Sequence, residues 1–236
     1  MKQKTLLSAG GLLSLLIIWQ LSSYWLSQRI SLASTLAPLP TLDSFIWLIS
    51  SGEIFPHLFA SLQRIFVGLS FSLIVGVPIG LLLGFFKKLE IWCTPAFQLL
   101  RMISPLSWMP IIVMLLAFAS VWSLIISTSA GVKSIDPQWL LLARSLSASK
   151  QETLCKIVVP AIVGHVLTGL RVSMGIAWVI LVPCEMLGVN EGLGYFSLDT
   201  RDRLAYSELM AVVVIIGLIG WGLDSLIRWA LVKGGK

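Results

Sequence analysis

Residues 135–160, IDPQWLLLARSLSASKQETLCKIVVP, decide how this chain is read. Asp136 followed by Pro137 is the signature of a helix start: a side chain that caps the first turn, then a residue whose missing N–H costs nothing there. Apolar residues run on to Leu146, and Ser147-Ala148 breaks the pattern. Ser149 with Glu152 three positions later forms a capping box, so a second helix starts there and reaches toward Pro160. Arg144, Lys150 and Lys156 give the unit a basic face. Two short helices meeting at a bend, wedged between long apolar runs, describe a docking knuckle.

The rest of the 236 residues set the context. The chain is 57% hydrophobic and 12% charged, with a mean hydropathy of +0.93. Soluble domains carry about 25% charged residues, so the composition is that of an integral membrane protein. The apolar runs are continuous rather than alternating, which excludes a β-barrel and predicts an all-α, polytopic helix bundle in one domain. A net charge of +6 suggests nucleic acid in a soluble protein; here it fits lysines and arginines held on the cytoplasmic side. No nucleic-acid motif is present. Cys93, Cys155 and Cys184 are scattered, without metal-ligand spacing, and read as packing residues.

Lys2 and Lys4 precede an apolar run over 6–26, long enough at about 20 residues to be a retained first span, a cleaved signal peptide being the alternative. Residues 27–57, with Pro38, Pro40 and Pro56, predict an external loop holding a short amphipathic piece near 43–50. The second span, 65–86, ends in Lys87-Lys88. Gly68, Ser72, Gly76, Gly80 and Gly84 recur along it every four residues, a stripe of small side chains that lets another helix approach closely. Residues 102–132 are uncharged, too long for one ordinary span and short for two with a turn. Lys87-Lys88 and the knuckle are both basic, hence both cytoplasmic, so an even number of crossings, two, must separate them. Pro95, Pro105 and Pro110 suit a broken first crossing through Trp108, leaving a return from about Ala119 of only ~14 residues. A fifth span covers 157–184, an external segment 185–207 and a last span 209–227. Twelve of the seventeen basic residues then fall on the cytoplasmic side, which predicts six crossings with both termini inside.

Enzyme chemistry finds no footing. His57 and His165 lie in different regions, and Gly234-Gly235-Lys236 lacks the hydroxyl residue and helix of a phosphate loop. Nothing in the chain predicts a metal or cofactor site. Arg171 is the informative charge. It lies eleven residues beyond Pro160, ~16 Å along a helix, near mid-bilayer, where a charge costs at least ~2.5 kcal/mol and is paired or faces water. Two roles remain open: lining an anion path, or pairing with a neighbouring helix. Trp178 and Glu185 lie further along the same segment as candidate path residues, and Glu185 is too far along it to pair with Arg171.

The stretch 135–160 resembles the cytoplasmic loop of bacterial ABC-importer permeases, E-A-A-x3-G-x9-I-x-L-P, which inserts into a groove on the ATPase subunit. Ala143, Ile157 and Pro160 match at the right spacing. Leu141 stands in place of the Glu, Leu142 of the first Ala, Ser147 of the Gly and Val159 of the Leu. The carboxylate contact to the ATPase is therefore missing, and Ser147 must make the bend without glycine's freedom. Arg144 and Ala148 complete the candidate coupling surface. Ser61-Leu62-Gln63-Arg64, Gly76-Val77-Pro78-Ile79-Gly80, Pro105-Leu106-Ser107-Trp108-Met109-Pro110, Gly169-Leu170-Arg171, Glu185-Met186-Leu187-Gly188 and Gly192-Leu193-Gly194-Tyr195 are similar to the nitrate/sulfonate/taurine/bicarbonate permeases. They span about residues 57–228.

The resemblance implies a type I importer permease fold over residues 1–236, with 133–160 as the coupling loop. It implies a bacterial plasma (inner) membrane location, two ATPase subunits, a second permease copy making a homodimer, and an external substrate-binding protein. The implied cargo is a small anion of the nitrate, bicarbonate or organic sulfonate class. That family has a longer segment with a turn where Phe118 meets Ala119 here, so a piece is missing at that junction. The different-class alternative is a secondary carrier or channel with no ATPase.

Overall fold

A computed structural model describes residues 2–102 and 112–234. The described residues form helices and turns without a strand. In order these are α1 (Lys2–Ser27), a 3-10 turn (Ser31–Leu36), α2 (Pro38–Ser51), α3 (Ile54–Phe85), α4 (Lys87–Met102), α5 (Ile112–Lys133), α6 (Pro137–Ser145), α7 (Lys150–Thr153), a π turn (Leu154–Val158), α8 (Val159–Gly188), α9 (Leu193–Asp202) and α10 (Tyr206–Gly234). Among the described residues, α3, the continuous helix Lys150–Gly188 and α10 are each long and apolar enough to cross a membrane. The inner part of α5 passes the same test together with α6, which bends away from it by 64°.

The small-residue stripe of α3 is an intrachain seam. Gly68, Ser72, Gly76 and Gly80 are buried, and α5 lies along them. Ser72 and Ser120 share a 2.7 Å hydrogen bond. A Cβ on Gly76 would lie 2.9 Å from that of Leu124, one on Gly80 2.6 Å from that of Thr128, and Gly84 meets Val132. Small side chains allow this approach, and dispersion over the whole seam holds it. Because partner numbers rise together, α3 and α5 run parallel. The chain must therefore travel back between them.

That return uses α4. Glu90, near its start, pairs with Lys133 at the end of α5, and Phe97 packs on Trp122 with ring centroids 5.1 Å apart. So α4 runs antiparallel to α5, the up-and-down arrangement that the basic flanks demanded. The return helix expected from about Ala119 is corrected: α5 starts earlier, runs straight through Phe118 and Ala119, and has 22 residues rather than ~14. Residues 112–130 contain neither Gly nor Pro, so nothing in that stretch favours leaving the helix. The segment through Trp108 falls outside the described residues.

α8 fills the other side of α5, antiparallel to it. Ser173 donates to the carbonyl of Ser120 at 2.7 Å, Gly169 faces Ser127, and Gly131 faces His165. The fifth span does not stop near Cys184 but runs to Gly188. Nor does the preceding helix stop at Pro160. A π turn over Leu154–Val158 leads into it, widening the backbone where the proline ring would meet a carbonyl. At the far end of the bundle Leu48, Ile54, Leu193, Phe196, Ala211, Val212 and Ile215 form a core joining α2, α3, α9 and α10. The predicted amphipathic piece near 43–50 is α2.

Candidate functional site

The knuckle is built as its capping signals require. Asp136 accepts from the Gln138 N–H at 2.9 Å. Ser149 Oγ accepts from the Glu152 N–H at 3.2 Å while Glu152 accepts from the Ser149 N–H at 3.0 Å. Between the two caps Ser147 adopts φ +53°, without a glycine. The Ala148 N–H reaches back to the carbonyl of Ala143 at 3.0 Å and that of Ser147 to Arg144, a C-terminal motif that absorbs the orphan carbonyls of α6. Ala143 is 3% exposed and faces inward, whereas Leu141, Leu142 and Leu146 are exposed. Arg144, Ser147 and Ile157 lie on the same protruding unit, with Ala148 half-buried and Pro160 in the first turn of α8.

Arg171 finds its partner on α10. Its Nε donates to Asp224 Oδ1 at 2.6 Å and its Nη2 to Oδ2 at 3.3 Å. Arg228, one turn further on, also reaches Asp224 at 3.1 Å. The cluster carries one net positive charge, and its side chains stay 29–47% exposed. Trp178 lies two turns beyond Arg171 and packs against Gly220 of α10. Asp224 falls within the last span expected over 209–227. Its pairing with Arg171 depends on α8 and α10 being antiparallel neighbours, which periodicity alone does not reveal.

Glu185 is elsewhere, at 0% exposure near the end of α8 away from the knuckle. Its Oε1 accepts from Arg64 Nη1 at 2.6 Å. Ser61 Oγ sits 2.8–2.9 Å from both carboxylate oxygens, and Oε2 accepts from the Gly194 N–H at 3.0 Å. Arg64 also donates to the Glu191 carbonyl at 2.7 Å, and Ser61 accepts from the Leu193 N–H at 2.9 Å. The glycines are required: Gly192 has φ +131°, and a Cβ there would strike the Glu185 carboxyl, while one on Gly194 would strike the Val182 carbonyl. His57 accepts from the Gly192 N–H at 3.2 Å and stacks on Phe196 at 4.7 Å. Thus Ser61 and Arg64 are the partners of Glu185 that sequence reasoning missed, with His57 on the same face of α3 holding the Gly192 N–H. Their spacing of three and four along a helix was the available signal. Arg171 and Glu185 do not converge on one site.

A parallel α3–α5 pair crossed by antiparallel α4 and α8, with α10 in turn antiparallel to α8 and a capped knuckle between spans, defines a polytopic membrane transport subunit. The family of binding-protein-dependent transport system inner membrane components matches residues 76–232, and the chain belongs to it, as a permease subunit of an ABC importer in the inner membrane. It is 32% identical to the bicarbonate transport system permease protein CmpB of Synechococcus elongatus, over 95% of this chain and 87% of that one. It is 32% identical to the nitrate import permease protein NrtB of Synechocystis, over 73% and 67%. A chain of the MetNI methionine ABC transporter in an inward-facing crystal form superposes with a TM-score of 0.60 at 16% identity, over 79% of this chain and 97% of that one. The comparison with CmpB runs over 250 positions, more than this chain's 236 residues, while using 95% of them. This chain therefore lacks residues that the relative has, and α5 is one unbroken helix where the missing piece was expected.

Proposed function

We propose that residues 1–236 form a single permease domain that pairs with an identical copy to make the translocation path for a small anion of the bicarbonate, nitrate or organic sulfonate class. An external binding protein delivers the anion. Two ATPase subunits hold the ATP and Mg, this chain holding neither, and their closure is passed through 133–160 to the spans. Both termini are cytoplasmic. The observation that carries the reading is the knuckle: a doubly capped, basic-flanked unit that projects at the end of α5 and leads rigidly into α8. The net positive cluster at Arg171, partly open among spans, supports an anion as cargo, since charges at that depth face water or a partner.

The test is ATP-dependent uptake in proteoliposomes holding this chain, its ATPase and candidate binding proteins. Ala143→Asp places a charge at a site 3% exposed, and is expected to abolish ATPase co-purification and uptake while the chain still inserts. Normal co-purification with normal uptake in that variant would remove 133–160 from the coupling role.

A further inference from the structure

The bundle has an opening that the transport reading does not use. Between α4 and α5 lies a cavity of about 340 Å³ whose wall is mainly apolar, with Leu83, Phe97, Trp122 and Ile126 along it and Glu90 and Lys133 at one end. The hydroxyl of Thr94, also on the wall, is turned to the Glu90 carbonyl at 2.6 Å. The opposite face of α4 is apolar and open, with Trp92 79%, Leu99 69% and Met102 85% exposed. So α4 is a helix with an open apolar outer side and a hydrophobic slot on its inner side. A slot of that kind in a bilayer is filled by an acyl chain or by another helix, because a cavity without contacts forfeits dispersion on every wall atom.

The charged end decides between occupants. Glu90 and Lys133 form an ion pair whose side chains are 31% and 45% exposed, so both atoms are within reach of a polar group outside the slot. They sit at the Lys87-Lys88 end of α4, where the headgroups of one leaflet lie. An ammonium takes Glu90 and a phosphate takes Lys133 in exchange for their mutual contact. A glycerol headgroup offers Glu90 only neutral hydroxyls beside a phosphate of the same charge, and a choline headgroup has no N–H to give.

We propose that the α4–α5 cleft is a binding site for one phospholipid with a phosphoethanolamine headgroup, its chain beside Trp122 and its headgroup between Glu90 and Lys133. The lipid packs the inner face of α4 beside the contacts that already hold it: the Glu90–Lys133 pair, the Phe97–Trp122 contact, and Leu89 and Cys93 against the core of Leu83, Val121 and Ile125. It is a structural ligand, separate from the proposed anion path.

The experiment uses the full chain in nanodiscs made with phosphatidylethanolamine, phosphatidylglycerol or phosphatidylcholine brominated on the acyl chain. Bromine quenches tryptophan at contact, and the difference between wild type and Trp122→Phe isolates one indole among ten. The expected result is loss of the Trp122-dependent emission with the brominated ethanolamine lipid and its retention with the other two. Ala130→Phe, which narrows the slot, should restore emission. Glu90→Gln with Lys133→Gln should remove the headgroup preference while the protein still elutes as one species. Equal quenching by all three lipids overturns the proposal, because it reports ordinary bilayer exposure. Retained emission with all three also overturns it, and cross-linking between Cys93 residues of two chains would then identify a second copy as the occupant.

Discussion

The two arginine–carboxylate pairs on α8 share their chemistry and differ in everything around it. At the outer end of α8, meaning the end away from the knuckle, Glu185 is sealed, and arginine, serine and backbone donors converge on its two oxygens. Further in, Asp224 is 29% exposed and holds two arginines that are themselves nearly half open. A buried carboxylate is tolerable only when its oxygens are satisfied, and removing one partner then leaves a charge with nowhere to go. An open cluster with one surplus guanidinium has the opposite character: its charges remain available to something that arrives. The outer pair locks α3, α8 and α9 into one body. The inner pair leaves part of its positive charge open, which the outer pair does not.

The largest effect is expected at the sealed pair. Glu185→Gln keeps the shape but puts an amide donor among donors and strands Arg64, at a cost of about 3–5 kcal/mol. The melting temperature of the purified protein should fall steeply, with protease cleavage near Glu191 appearing first. An unchanged melting curve would mean that the clamp is incidental and the contrast between the two pairs is false. Gly80→Leu should follow, at about 1–3 kcal/mol or more from overpacking against Thr128. It lies far along α3 from Ser61, so the two losses should add. Strong coupling between them would merge the outer clamp with the α3–α5 seam into one cooperative unit.

Arg171→Gln separates the two roles left open for that residue. On the path reading, uptake is lost while melting temperature and ATPase co-purification stay as in wild type, because Asp224 retains Arg228 as a partner. Arg171→Lys keeps the charge but not the planar fork, and should retain part of the uptake. A drop in melting temperature equal to that of Glu185→Gln would make the inner pair as structural as the outer one.

The sequence showed some of this plainly and some not at all. Caps are local chemistry, so Asp136 and the Ser149–Glu152 box were readable from spacing alone. The stripe Gly68–Gly84 announced a close contact, but its partner is α5 of the same chain, and only the parallel packing with Ser120, Leu124 and Thr128 reveals that. The return helix was expected to start at Ala119 because the resembled family turns at that junction. Local propensity favoured an earlier start, since no breaker stands between 112 and 130, and α5 begins by Ile112. The two ion pairs were hidden for a common reason: Arg64–Glu185 and Arg171–Asp224 join residues 121 and 53 positions apart. Charges that distant in sequence carry no periodic signature of who meets whom.

The smallest effect, and the finest test of the contrast, is Asp224→Asn. Asn matches Asp in shape, so packing against Arg171 and Arg228 is kept and one negative charge is removed from an open cluster. If the cluster meets the transported anion, two arginines are then freed from a competing carboxylate, and the anion is held more tightly. KM for uptake should fall by about fivefold or less, the scale of a single charge change at a hydrated site. The maximal rate should fall as well, because release now works against a stronger hold. The melting temperature should barely move. Asp224→Glu, which restores the charge on a longer arm, should return KM toward the wild-type value. Uptake measured over a range of substrate concentrations, beside melting curves of the same preparations, distinguishes the cases. If melting temperature drops while KM stays fixed, Asp224 is a structural counter-ion, and the two pairs on α8 differ in exposure but not in role.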